Sequence, residues 1–181
     1  MRWAASLFSA LGIAMTVAVL CGVFAVRDGF EGLLATARAD PSARLPRSVV
    51  MIQCVGSRET SQPYCSRVCC TEALKNALAL KALSPTCEVT ILYRDLRSYG
   101  FRERVYRQAR QAGIRFLQFD AGAPPEVAAD PRGRLSVRVA AQPGGEAHEL
   151  TVDHVVLSAG IKPEPGNAAL SRLLKLPLTK D

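Results

Sequence analysis

The chain has 181 residues, of which 49% are hydrophobic and 22% charged, a composition that supports one packed domain with a short extension and excludes global disorder. Its formal net charge is +7, which raises the question of a nucleic-acid partner. The arginines from Arg94 to Arg115 are interleaved with acidic residues and match no nucleic-acid-binding motif. We therefore expect a solvated helix face and no nucleic-acid partner.

Residues 1–29 are predicted to form an apolar N-terminal helix. No charged residue occurs from Ala4 to Val26, and a helix of that length would cross a bilayer core of roughly 30 Å. Two interpretations stay open: a membrane helix, or an anomalous start to the chain. If the segment is a membrane helix, residues 4–26 would contact the membrane. A cleaved signal peptide is less favoured, because the small-x-small sequence at 37–39 lies well beyond the apolar run. Residues 30–47 are predicted to be a linker.

The segment from residue 48 to residue 120 predicts alternating strands and helices. A continuous apolar run predicts a strand buried on both faces at 48–54, and further strands are predicted at 87–93 and 114–120. One helix is expected to begin near Ser66 and to end at Ser84-Pro85, and a second is expected at 101–113, ending at Gly113. This β-α-β-α-β order predicts a parallel sheet of the Rossmann-like α/β class.

The remaining segments predict a β-hairpin and a return strand. Alternating residues at 134–140 and 147–153 flank Pro143-Gly144-Gly145, which is typical of a hairpin. A buried return strand is expected at 154–160, and residues 166–181 form a tail with a short helix. The main domain is thus expected to span residues 48–165.

Four of the six cysteines, Cys54, Cys65, Cys69 and Cys70, lie where the first strand ends and the first helix begins. If the helix has already begun at Cys65, then Cys65 and Cys69 share one helix face, whereas Cys70 lies about 100° around the axis from Cys69. The remaining two, Cys21 and Cys87, are isolated and are expected to be ordinary packing residues.

The spacing of the clustered cysteines favours an iron–sulfur cluster over zinc, and zinc over disulfides. Zinc sites usually take ligands from pairs of residues two to four positions apart, and no such pair of knuckles is present. A wider cluster accepts four thiolates at uneven spacing, and its negative charge suits a helix N-terminus with Arg58 and Arg67 nearby. A disulfide between Cys69 and Cys70 would be strained. A structural zinc-binding interaction domain stays open as the alternative.

The first strand-to-helix turn lacks the usual dinucleotide-binding sequence. That function normally needs G-x-G-x-x-G, and here the turn contains only Gly56. We expect the cysteine-bearing loop to occupy the place of the nucleotide. Arg94, just after the second strand, is expected to be a surface arginine that pairs with Asp95.

Four segments closely resemble one known family. They are SVVMIQCVGSRETSQPYCSRVCC, ALKNALALK, EVTILYRDLRSYGF and VVLSAGIKPEP, and together they resemble the A-type subunit of heterodisulfide reductase from about Phe30 to the end of the chain. That family consists of flavin and iron–sulfur proteins related in fold to thioredoxin reductase. It works in a cytoplasmic complex with partner subunits that reduce a disulfide substrate.

The resemblance implies a cofactor and a role for several residues. It implies that Cys54, Cys65, Cys69 and Cys70 ligate a [4Fe-4S] cluster that relays single electrons between flavin and partner clusters. It also implies FAD, with the strand end at Ser158, Ala159 and Gly160 lying near the flavin. No residue is expected to act as a catalytic acid, base or nucleophile.

The chain departs from the family pattern in ways that limit these expectations. The G-x-G-x-x-G loop for the FAD adenosine and the ferredoxin-like cysteine repeats are absent. We therefore expect an incomplete FAD site, with residues 166–181 as a C-terminal tail that leads to a missing segment of the FAD domain. We also expect a component of an oxidoreductase that is not active alone. Its expected partners are other subunits of such a complex or the remaining flavoprotein domains, and its expected location is cytoplasmic, with tethering through 4–26 as an alternative.

Overall fold

The computed structural model describes residue 35, residues 45–129, residue 131 and residues 134–177. The predicted apolar helix at 1–29, with Cys21, lies outside these residues, as does most of the predicted linker. Within the described ranges, no helix is long and apolar enough to cross a membrane.

The described residues form seven strands and three α-helices, with a 3-10 turn at Gly100–Arg102 before the second helix. In chain order they are β1 (Ser48–Val55), α1 (Cys69–Leu83), β2 (Glu88–Tyr93), α2 (Glu103–Gln111), β3 (Arg115–Phe119), β4 (Glu126–Ala129), β5 (Leu135–Gln142), β6 (Glu146–Val152), β7 (His154–Ala159) and α3 (Asn167–Leu174).

The strands form one mixed sheet in the order β4-β5-β3-β2-β1-β7, with β6 paired to β5. β1 is parallel to both β2 and β7, and β2 is parallel to β3. β5 and β6 form the predicted antiparallel hairpin, in register from Leu135–Val152 to Ala141–Glu146. The predicted parallel β-α-β-α-β unit and hairpin are thus confirmed, as is the presence of the return strand. The prediction that the return strand is buried is wrong, because β7 lies at an edge of the described sheet and all six of its residues are exposed or partly exposed.

Apolar layers cover both faces of the parallel strands. On one face, α1 and α2 pack on β1 and β2 through a cluster that includes Val49, Met51, Leu74, Leu80 and Ala109. On the other face, residues of β5 and β6 pack on alternate residues of the same strands, in a cluster of Val50, Ile52, Leu92, Phe119, Val137, Val139 and Val152. Burial on both faces explains why the strands are continuously apolar in sequence.

The helix ends follow from local sequence. α1 stops at Leu83, directly before Ser84-Pro85. α2 ends at Gln111, and Gly113 follows with φ of 78°, its N–H donating to the Arg110 carbonyl at 3.1 Å. A left-handed residue of this kind is the usual helix terminator, and glycine adopts that conformation without strain.

Candidate metal centre

The four clustered cysteines lie at the carboxyl end of the parallel strands. The segment 54–70, here called the cysteine loop, begins at the end of β1 and ends in the first turn of α1. In open α/β sheets, ligands bind outside the carboxyl ends of the strands. The loop therefore occupies the ligand-binding edge of this sheet.

Cys54 has an unusual backbone conformation. Its φ is 64°, and the pairing of β1 with β7 shifts register between Ile52 and Val55. A non-glycine residue in the left-handed region costs about 1–3 kcal/mol and persists only where its surroundings enforce it. The bulge takes Cys54 out of the regular alternation of the strand, and the Ser57 N–H closes a turn on the Cys54 carbonyl at 3.3 Å.

Cys65 lies before the helix, on an irregular segment. The prediction of a helix from near Ser66 is wrong by three residues, because Arg67 is left-handed with φ of 63° and α1 begins only at Cys69. Consequently Cys65 and Cys69 do not share a helix face. The Arg67 N–H donates to the Cys65 sulfur at 3.3 Å, which closes a short turn ahead of the helix.

Cys69 and Cys70 occupy the first turn of α1 and face different surroundings. Cys69 is half-buried and hydrogen-bonded to the side chain of Ser66. Cys70 is 6% exposed, and the backbone N–H of Arg97 donates to its sulfur. The two adjacent thiols therefore have different hydrogen-bond partners, Ser66 for Cys69 and the Arg97 backbone for Cys70.

The pKa values link the four thiols electrostatically. Burial raises the pKa of both Cys69 and Cys70, while Ser66 and the Arg97 N–H oppose this by stabilising the respective thiolates. Cys54 and Cys65 raise the pKa of Cys70 further, and Cys70 and Cys65 do so for Cys69, because like charges repel. Each of the four cysteines thus interacts with at least one of the others, and the cationic Arg97 lies beside Cys70.

The surroundings of the thiols contain polar atoms that lack partners. In the described part of the chain, the buried amide of Gln53, the Oε1 of Gln62 and the hydroxyl of Thr71 make no hydrogen bond. Each of these residues lies in the cysteine loop or directly beside it. Buried polar atoms are normally paired, so unpaired atoms around free thiols are what a site for a bound group would contain.

No histidine lies at this edge among the described residues. His154 pairs with Val49 near the amino end of β1, and His148 pairs with Val139 on the hairpin, both away from the cysteine loop. Among the described residues, no group of three or more His, Cys, Asp or Glu side chains has the geometry of a site for a metal ion. The donor chemistry fits an iron–sulfur group, which binds through separate thiolates.

Cys87 lies elsewhere, as expected. It immediately precedes β2, at the opposite end of the parallel strands from the cysteine loop, and it is 0% exposed within the core beneath the helices. The interpretation of Cys87 as a packing residue is confirmed.

Arg94 holds the cysteine loop, and the expectation that it pairs with Asp95 is wrong. Its guanidinium donates to the carbonyls of Ser57 at 3.4 Å and Arg58 at 3.0 Å. Asp95 pairs instead with Arg58 and, at 2.8 Å, with Arg97. The reason is positional: Arg94 follows β2 directly, so it faces the loop carbonyls that follow the neighbouring β1.

The end of β7 packs directly against the cysteine loop. The Gly160 N–H donates to the Val55 carbonyl at 2.7 Å, and the Ile161 N–H donates to the Ser66 hydroxyl at 2.8 Å. A Cβ at Gly160 would lie 2.7 Å from Gln62 Nε2, the Gly56 carbonyl and Ser57 Cβ. The predicted flavin-proximal segment Ser158-Ala159-Gly160 is therefore adjacent to the loop that carries the thiols.

A cavity of about 530 Å³ opens beside Cys54. Its wall includes Arg58 and Arg94 together with apolar residues from four strands and a loop, among them Ile52, Phe119 and Leu157. This cavity has no sequence signal, because its lining residues are far apart in the chain.

The fold and the site define a Rossmann-like α/β domain whose first strand-to-helix connection carries thiols in place of a glycine-rich phosphate-binding loop. No protein-family model matches the chain. Individual proteins do match it. The chain is 45% identical over 141 residues to the A-type iron-sulfur subunit of the CoB--CoM heterodisulfide reductase of Methanocaldococcus jannaschii, covering 75% of this chain and 21% of that protein.

Two further relatives give the same result. The A-type subunit of the ferredoxin:CoB-CoM heterodisulfide reductase of Methanosarcina acetivorans is 42% identical over 134 residues, covering 72% of this chain and 16% of that protein. A third, from Methanococcus maripaludis, is 41% identical over 136 residues, covering 72% and 20%. The chain thus belongs to the family of heterodisulfide reductase A-type subunits, and it spans about a fifth of the length of these relatives.

Similar solved structures include two enzymes at low similarity. Thioredoxin reductase of T. acidophilum has a TM-score of 0.43 and 15% identity, covering 73% of this chain and 36% of that one. The L-lysine 6-monooxygenase of Pseudomonas syringae has a TM-score of 0.46 and 13% identity, covering 79% and 42%.

Proposed function

We propose that this chain is the electron-transfer module of a heterodisulfide-reductase-like flavoprotein complex, with a [4Fe-4S] cluster held by Cys54, Cys65, Cys69 and Cys70. The observation that supports the proposal is that four free cysteines lie at the carboxyl edge of the sheet, where Cys54 and Cys65 both act on the pKa of Cys70 and where Cys65 and Cys70 act on that of Cys69. The relatives add support, because one of them is named as an iron–sulfur subunit.

The group, when bound, supplies a one-electron redox couple. The chain's own residues have three tasks. The cysteines hold the group, the N-terminus of α1 and Arg97 offset negative charge, and burial of Cys70 restricts water on one side. Arg94 keeps the loop carbonyls in place, so that the thiols stay at their positions.

We further propose that FAD is bound mainly by parts of the complex other than this chain, with Ser158, Ala159 and Gly160 near the flavin. Support comes from the packing of Gly160 on the cysteine loop, which brings this strand end next to the proposed cluster. The chain lacks G-x-G-x-x-G, so it would act as a component of an oxidoreductase and not as an enzyme by itself.

Anaerobic reconstitution with iron and sulfide tests the proposal. The expected product is brown and contains about four iron and four sulfide per chain. Cys69→Ser should lower the iron content and bleach the visible absorption, whereas the matched control Cys87→Ser should leave both unchanged, because Cys87 lies at the other end of the strands. A colourless protein that binds one zinc would contradict the proposal and favour a structural zinc domain.

A further inference from the structure

Gln53 is a buried polar residue in an otherwise apolar strand. It is 1% exposed, follows four apolar core residues of β1 and directly precedes Cys54. Neither its Nε2 nor its Oε1 has a hydrogen-bond partner among the residues that the structure describes. Packing does not account for a glutamine here, since a methionine of similar size would fill the space without two unpaired polar atoms.

Strand alternation gives the direction of the Gln53 side chain. Val49 and Met51 belong to the cluster formed with α1, and Gln53 is the next residue on the same side of β1. α1 returns antiparallel to β1, because it connects two parallel strands, so its first turn overlies the carboxyl end of β1. Alternation therefore assigns Gln53 to the side of β1 that α1 covers, and Gln53 also borders the cavity beside Cys54.

A second buried polar atom without a hydrogen-bond partner lies in the first turn of α1. The Thr71 hydroxyl, directly after Cys70, is buried without a hydrogen-bond partner in the described residues. One unpaired polar side chain at the end of β1 and another in the first turn of α1 are what a group bound between these two elements would pair with.

We propose that Gln53 is a positioning residue whose side-chain N–H donates to the sulfur-ligated group held by Cys54, Cys65, Cys69 and Cys70, and that it thereby raises the reduction potential of that group. The role assigned to Gln53 rests on the proposed function. A hydrogen bond to sulfur stabilises the reduced state, which carries more negative charge, and so makes reduction easier.

The test is Gln53→Met, which removes the donor and keeps the length of the side chain. We expect normal iron and sulfide content, a shift of the midpoint potential to a more negative value in an anaerobic redox titration, and altered g-values in the electron paramagnetic resonance spectrum of the reduced protein. Gln108→Met, the same substitution at an exposed site on α2, is the control and should leave the potential and spectrum unchanged.

Stability of the metal-free protein supplies a second measurement. If Gln53 has no partner without the bound group, Gln53→Met should be at least as stable as wild type toward denaturant in the metal-free form. A less stable or unfolded metal-free variant would overturn the inference, because it would show that the amide is paired within the chain itself.

The proposed function and the role of Gln53 would be contradicted by different results. Wild-type protein that binds no cluster contradicts the proposed function. Wild-type and Gln53→Met proteins that both bind the cluster, with equal potentials and equal spectra, leave the proposed function intact and overturn the role of Gln53 alone.

Discussion

Gly160 lets the return strand pack closely against the cysteine loop, because glycine has no Cβ to separate them. A Cβ there would approach a backbone carbonyl to 2.7 Å, and backbone cannot yield as a flexible side chain can. We expect Gly160→Ala to lower the free energy of unfolding by about 1–3 kcal/mol, as overpacking does, measured by urea denaturation. Gly166→Ala is the matched control, since nothing lies within 4 Å of its Cβ position. Equal stability of the two variants would show that the contact is not made.

Cys87 allows a prediction about pH. Burial raises the pKa of this thiol above its ordinary value of 9.0, with Lys81 opposing and Asp153 and Glu88 adding to the shift. The folded state therefore holds its proton where the unfolded state has lost it, so stability falls as pH rises above about 9. Cys87→Ala should flatten this decline relative to wild type in denaturation curves measured from about pH 8 to about pH 10.5. A parallel decline in both proteins would contradict the assigned shift.

Residues of the site differ in how well sequence predicts them. The four cysteines are visible as a cluster, and a buried, isolated Cys87 follows from its apolar setting. Arg94 is the exception, because its contact with the Ser57 and Arg58 carbonyls depends on two parallel strands ending side by side. The orphaned Gln53 amide has no local sequence signal, since its lack of a partner is a property of the packed structure.

At the scale of elements, the cysteine loop depends on Arg94, which directly follows the neighbouring strand β2. Arg94→Met should remove two charge-assisted hydrogen bonds to the loop and make its opening easier by about 1–3 kcal/mol. The expected result is faster amide hydrogen exchange in residues 56–68, with exchange in β2 unchanged. Arg104→Met, at an exposed position on α2, serves as the control. Unchanged exchange in the loop would show that Arg94 does not hold it.

Strands and helices are predictable from sequence where their buried residues recur in a regular pattern, and they are harder to predict where no such pattern exists. β1 and β2 are recognisable because both of their faces are covered, and the hairpin because its alternation flanks a Pro-Gly-Gly turn. β4 escapes prediction, since all four of its residues are exposed and leave no pattern. The start of α1 is predicted three residues early, because the left-handed Arg67 that delays it has no sequence signature.

At the scale of the whole molecule, two outer elements expose apolar side chains. α3 has no buried residue and exposes Leu170, Leu173 and Leu174, and β7 is an edge strand of the described sheet with Leu157 exposed. The aligned segment covers only 21% of the Methanocaldococcus jannaschii relative, and we expect these exposed apolar surfaces to pack against further protein.

Comparing an exposed leucine of α3 with a leucine of the core tests whether α3 packs against the rest of this chain. Leu173→Ala should change the free energy of unfolding by no more than about 0.5 kcal/mol, because Leu173 is 79% exposed. Leu74→Ala, in the core beneath α1, should cost about 2–5 kcal/mol. Denaturant titration of the isolated chain measures both. A large loss for Leu173→Ala would show that α3 already packs within this chain.

The most direct measurement of the central claim is native mass spectrometry of the anaerobically reconstituted chain, combined with its visible spectrum. We predict a mass increase equal to about four iron and four sulfide per chain, which is lost when Cys54, Cys65, Cys69 or Cys70 is individually replaced by alanine and retained in Cys87→Ala. A mass increase of a single zinc, or no increase with the thiols joined in disulfides, would contradict the claim.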